Sequence, residues 1–164
     1  MKKVIFIPGF TGGKRDMYVI RMVLSNFEVI YFSYDTWLNK SLVDYSLELK
    51  KFINTLKLKK GEKISIIGIS VGGIIARYYL EFLDNKKVDK FVTLCSPFKG
   101  SLLASFALLF LRKQRGLEDL KTNSQFLKNL NHKRLNGIKE KNFWSMLDFL
   151  VPGVSGKGRN PEHT

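Results

Sequence analysis

The 164-residue sequence predicts an α/β fold, a mostly parallel sheet flanked by helices, on three observations. Short runs rich in β-branched residues alternate with segments whose apolar residues recur at helical spacing. One run, Ile64–Ile69, passes into its helical partner through a turn of almost no length. A glycine-rich loop, Pro8–Gly13, follows the first run at once. Alternation of this kind implies right-handed crossovers and ligand sites at the carboxyl ends of the strands.

The elements follow in order. Lys3–Ile7 is the first strand, and backbone N–H groups of the glycine-rich loop after it are placed to approach a ligand. Asp16–Leu24 can form a short helix, and Phe27–Phe32 is the next strand. Ser41 caps a clearer helix, with Asp44 in the capping-box position and Leu42, Tyr45, Leu49, Phe52, Ile53 and Leu56 on one face. Asp35 and Trp37 read as loop residues near the carboxyl edge of the sheet. The third strand is 64–69, the third helix 71–83, and Val88–Cys95 the fourth strand. Leu102–Leu111 is apolar on every side, which suits either a buried helix or a wall that meets an acyl chain or lipid. Arg112, Lys113 and Arg115 after it would suit the end of an interfacial helix. Late in the chain, Phe143–Met146 is a short apolar run.

Composition narrows the class. Hydrophobic residues make up 45% of the chain, enough for a core, so one globular domain is expected. The single Cys95 excludes an internal disulfide and a cysteine-based metal site, and no cofactor is expected. The amino-terminal apolar run breaks at Pro8-Gly9 and reads as a strand, not a secretory signal, so a cytoplasmic protein is expected. A formal charge of +14 fits either a solvated lysine-rich surface or attraction to an anionic membrane. No basic helix or aromatic-basic platform points to nucleic acid.

The chemistry centres on Gly68-Ile69-Ser70-Val71-Gly72. A strand-to-helix turn this tight strains its apex and crowds its neighbours, so glycines at 68 and 72 make room. The Ser70 hydroxyl then projects beyond the sheet, beside the first amides of a helix, where developing negative charge is favoured. Shape and electrostatics both suit a nucleophile.

This segment resembles the nucleophile elbow of the α/β-hydrolase superfamily, in its lipase and esterase branch. Thr93–Ser101 (TLCSPFKGS) is similar to a second segment of those enzymes, with Phe98 where a histidine is usual. Gly116–Asn131 is similar, more loosely, to the stretch after their cap. The resemblance runs from about Val4 to Pro152 and implies a helical cap insertion at about 101–140 within a single domain. It implies an oxyanion hole of the Phe10 and Val71 amides, with Thr11 beside Phe10, and substrate contacts from Thr11, Phe98, Leu102 and Leu103. It implies that Asp148, before Val151-Pro152, is the triad acid. For the base it leaves two choices. His163 keeps the chain order serine–acid–histidine, whereas His132 does not. The family has a further strand before its histidine, and Gly153–Glu162 has no apolar run to form one. Either His163 acts from a shortened tail, or the sequence stops before the last strand. The implied activity is hydrolysis of carboxylic esters, with lipid or other acyl esters as substrates, through an acyl-enzyme. The same residues would serve an acyltransferase, and without a base the domain would bind acyl lipid or a membrane surface unchanged.

Overall fold

The computed structural model describes residues 1–111, 113–130 and 135–144. Five strands form one sheet: β1 (Lys2–Ile7), β2 (Phe27–Tyr31), β3 (Ile64–Ile69), β4 (Val88–Leu94) and β5 (Lys139–Phe143). Their order across the sheet is β2-β1-β3-β4-β5, and every neighbouring pair is parallel. The helices are α1 (Lys14–Val23), α2 (Leu42–Thr55), α3 (Val71–Tyr78), α4 (Leu102–Ala107), α5 (Arg115–Asp119) and α6 (Gln125–Leu130).

The strand order follows from handedness. The chain steps from β1 outward to β2, then returns past β1 to β3 and continues in the opposite direction. Because βαβ crossovers are right-handed, reversing direction moves the helices to the other face. α2 and α3 accordingly pack on each other. They cover Ile5, Ile7, Ile64, Ile66 and Phe91 with Leu42, Tyr45, Leu49, Ile53, Ile74 and Ile75, all fully buried. The reversal leaves a crevice at the carboxyl ends of β1 and β3, where α/β sheets take their ligands.

Local signals hold where they were strong. The Ser41 Oγ accepts from the Asp44 N–H at 3.2 Å, and Asp44 Oδ2 accepts from the Ser41 N–H at 3.3 Å, closing the capping box of α2. The third helix is shorter than its pattern predicts, changing at Tyr79 to a wider π-turn that runs to Leu83. The fifth strand departs further. Its apolar signal lies at 143–146, yet the strand is Lys139–Phe143, with the composition KEKNF. Partners on the sheet and on α3 explain this. Glu140 pairs with Arg77 of α3, and Thr93 Oγ1 donates to Asn142 Oδ1 at 2.6 Å. Arg77 also meets Glu81 at 3.3 Å, and the side chains of all three charged residues are almost fully buried.

A buried ion pair adds little net stability, but removing one partner strands the other. Arg77→Met is therefore expected to cost about 3–5 kcal/mol in urea unfolding. Adding Glu140→Gln should recover part of that loss, and no recovery would show that the cost lies elsewhere.

The stretch between β4 and β5 carries α4 to α6 and is hydrogen-bonded to the body through α5. Asp119 Oδ2 accepts the Leu42 N–H at 2.8 Å, and the Gly116 N–H donates to Leu38 O at 3.1 Å. Within it, the apolar run is helical only to Ala107. Ala104 is buried, but Leu102, Phe106, Leu109 and Phe110 are exposed, so the run is not a buried helix. No helix among the described residues is long and apolar enough to cross a membrane.

Candidate functional site

Ser70 stands between β3 and α3 with φ 51° and ψ −121°, a conformation that costs a non-glycine residue about 1–3 kcal/mol. The surroundings enforce it. The Ser70 N–H donates to Leu94 O at 2.8 Å, and Ser70 O accepts from the Gly73 N–H at 3.1 Å. The glycines on either side let backbone meet backbone. A Cβ at Gly68 would lie 2.5 Å from Gly73 Cα, and one at Gly72 would lie 2.4 Å from Ile7 O. α3 is thus pressed onto β3 and the end of β1, and Ser70 takes the bend between them. Its side chain makes no capping bond to α3, is half-buried, and faces a cavity.

The loop after β1 lies directly against this serine, for a Cβ at Gly9 would be 3.2 Å from Ser70 Cβ. The amides in the loop divide by partner. The Thr11 N–H donates to Thr36 O at 3.1 Å and the Gly12 N–H to Gly9 O at 3.0 Å. Thr11 therefore drops out as an amide donor, although it lines the cavity. Among the described residues, the Phe10 and Val71 N–H groups have no acceptor. These two amides flank Ser70 in space and in sequence respectively, the first brought there by Gly9.

A second loop braces the first. Tyr34 donates its hydroxyl to Pro8 O at 2.9 Å, and burial pushes this phenol far above its ordinary pKa. The Trp37 and Phe10 rings meet edge to face at 5.9 Å. Asp35 organises this loop, accepting from Asn39 Nδ2 at 2.7 Å, from the Trp37 N–H at 3.1 Å and from the Tyr45 hydroxyl at 3.3 Å. Burial raises the Asp35 carboxyl, but these hydrogen bonds outweigh it and hold the group below the usual carboxylate range. A depressed folded-state pKa gives stability that is present above the unfolded value near ~3.9 and is lost as pH falls through the folded value. Melting temperature should therefore drop on acidification below about pH 4, and Asp35→Asn should reduce that drop. An unchanged acid profile in the variant would remove Asp35 from the account.

The cavity has a volume of about 610 Å³. Its walls are mainly apolar, from Phe10, Ala104, Phe106, Ala107, Leu117 and Leu120, with polar groups from Ser70, Thr11, Ser101 and Asp16. Asp16 also accepts the Gly13 N–H at 3.1 Å at the start of α1. Among the described residues, no group of three His, Cys, Asp or Glu side chains is placed to hold a metal ion.

Ser70, Val71, Phe10 and Thr11 come together at this cavity. Phe98 does not. It is 1% exposed, packed in the core with the Arg77 guanidinium 5.9 Å from its ring centre. Leu102 is 66% exposed and is not part of the wall, because the first turn of α4 directs Ala104 inward instead. The side chain of Leu103 lies outside the described set, as do Asp148, His163 and His132. The wall residues Phe106 and Phe110 lay in the apolar run, which is apolar on every side and so did not single them out. Leu117 and Leu120 lay in the loosely matched stretch, and nothing local marked Asp16.

The family model described as palmitoyl protein thioesterase matches residues 16–110, more than half of the chain. No curated protein matches. Among solved structures, phospholipase PlaB from Legionella pneumophila is 17% identical with a TM-score of 0.67, over 85% of this chain and 36% of that one. Mature lipase BlEst2 from Bacillus licheniformis is 19% identical with a TM-score of 0.64, over 85% of this chain and 63% of that one. Lipase B from Aspergillus fumigatus is 15% identical with a TM-score of 0.68, over 96% and 42%. At such identities the likeness is one of fold, and the chain spans about a third to two thirds of the length of these structures.

Proposed function

The chain belongs to the palmitoyl protein thioesterase family, and from that premise we propose that it hydrolyses acyl esters, oxygen or sulfur, with Ser70 as nucleophile. The observation that carries this reading is the strained Ser70 apex, open to an apolar cavity and flanked by two unengaged amides. The aliphatic chain of the substrate lies along Ala104, Phe106, Leu117 and Leu120, where it is removed from water. Ser70 Oγ attacks the carbonyl carbon, and the Phe10 and Val71 N–H groups receive the oxyanion of the tetrahedral intermediate. The carbon–oxygen or carbon–sulfur bond to the leaving group then breaks, leaving Ser70 acylated. Water cleaves the acyl-enzyme by the reverse sequence of proton transfers.

A serine hydroxyl needs a base near neutral pH. In this reading His163 takes the Ser70 proton and delivers it to the leaving alcohol or thiol, and Asp148 orients the imidazole. The helices between β4 and β5 act as a cap whose inner face is the acyl wall. Ser101 Oγ, which accepts the Ala104 N–H at 3.3 Å, holds the start of that wall.

A fluorophosphonate probe tests the proposal. Strong labelling of the wild-type chain is expected, with none in Ser70→Ala and little in His163→Ala. Labelling that persists in Ser70→Ala sinks the assignment of the nucleophile. A folded wild-type chain that stays unlabelled would instead be a binding domain for acyl lipid. Product analysis with an added alcohol separates hydrolysis from acyl transfer.

A further inference from the structure

The mouth of the cavity is bordered by two elements that share an unusual surface. On one side, Phe106 and Phe110 line the cavity while remaining 68% and 82% exposed, and Leu109 beside them is 64% exposed. On the other side, α1 contributes Asp16 to the wall and then turns Tyr18, Val19, Met22 and Val23 to solvent, each between 59% and 74% exposed. The two elements together present seven large apolar side chains, each at least 59% exposed, where an ordinary surface carries such residues singly. Exposed cations accompany both parts. Arg15 and Arg21 lie on α1, and Lys99, Lys113 and Arg115 flank the α4 side, against the acids Asp16 and Glu118. The chain as a whole carries +14.

We propose that this face docks on an anionic phospholipid bilayer, with α1 and the α4 segment entering the headgroup boundary on either side of the cavity mouth. An amphipathic helix with apolar residues on one face and cations beside them has the form of an interfacial element. The pairing of apolar area with positive charge supplies both terms that bind a peripheral protein, desolvation of side chains and attraction to acidic lipid. Docked in this way, Phe106 and Phe110 extend the cavity wall into the lipid. An acyl chain then passes from bilayer to cavity without crossing water. This deepens the proposed function, but its binding part stands apart from the chemistry at Ser70.

Vesicle co-sedimentation tests it, on the Ser70→Ala chain so that turnover plays no role. The chain should bind phosphatidylcholine vesicles containing about a third phosphatidylglycerol, more weakly in high salt, and bind pure phosphatidylcholine poorly. Val19→Ser/Met22→Ser on α1 should weaken binding at least about tenfold, and Leu109→Ser should weaken it independently. None of these three side chains lines the cavity, so in the Ser70 background hydrolysis of a soluble short-chain ester should be unaffected by them. Circular dichroism checks that the variants fold, and Arg15→Glu/Lys113→Glu gives a charge-only counterpart. Absence of binding to anionic vesicles overturns the proposal. So does binding that the apolar variants leave intact, or self-association through this face without vesicle binding. Intact vesicle binding with no hydrolysis would count against the proposed function alone.

Discussion

Alanine at position 70 is expected to lower hydrolysis of an acyl ester by at least about 10³-fold while leaving the fold in place. The two halves of this expectation have separate causes. Activity falls because the attacking oxygen is gone, and what remains is binding and the pair of amides at Phe10 and Val71. The fold survives because Ser70 contributes to it through its backbone, by its N–H to Leu94 O and its carbonyl to the Gly73 N–H. Its side chain makes no helix cap, so its removal orphans nothing in α3. The positive φ of 51° adds a further test. Glycine carries no Cβ penalty there, so Ser70→Gly should be equally inactive yet melt higher than Ser70→Ala, by the equivalent of about 1 kcal/mol. Retention of more than about a tenth of wild-type turnover in either variant would remove Ser70 from the reaction.

A large loss of stability is expected at Gly72. A Cβ there meets Ile7 O at 2.4 Å and Pro8 O at 2.5 Å. Both are main-chain atoms at the end of a central strand, so no side chain can swing aside to make room. Gly72→Ala should therefore lower the free energy of unfolding by roughly 3 kcal/mol, at the upper end for an overpacked site. The relief available is a shift of the loop after β1, which carries the Phe10 amide. Turnover per folded molecule should accordingly fall as well, in kcat more than in KM. Gly13 is the control. Its Cβ would meet nothing within 4 Å, and it occupies the N-cap of α1 with φ −158°. Gly13→Ser should be neutral or stabilising by a few tenths of a kcal/mol. Similar losses at the two positions in urea unfolding would show that close packing at Gly72 is not the cause.

How far the residues themselves announce this architecture depends on the element. β1 to β4 and α2 carry periodic apolar runs and recognisable caps, and the structure has them within a residue or two of their sequence signals. The bend at Ser70 is legible for a related reason, because glycines at 68 and 72 leave few other conformations for a strand that must become a helix at once. β5 was not legible. Lys139–Phe143 has no apolar alternation, and it is a strand because Arg77 and Thr93, distant in the chain, supply partners for Glu140 and Asn142. The place of Phe98 was illegible for the same kind of reason. Its neighbours in sequence suggest a site, whereas its neighbours in space are Arg77 and the core.

The order of residues was thus sufficient for the succession of strands and helices, for the serine at the bend, and for the glycine loop that meets it. Those features arise from backbone sterics and from periodicities a few residues long. Folding decided which amide in that loop is left unengaged, which faces of α4 and α1 meet the cavity and which meet solvent, and which charged strand pairs beside β4. Each of those outcomes depends on a partner tens of residues away, and no short-range preference can specify where a distant hydrogen-bond acceptor or counter-charge will arrive.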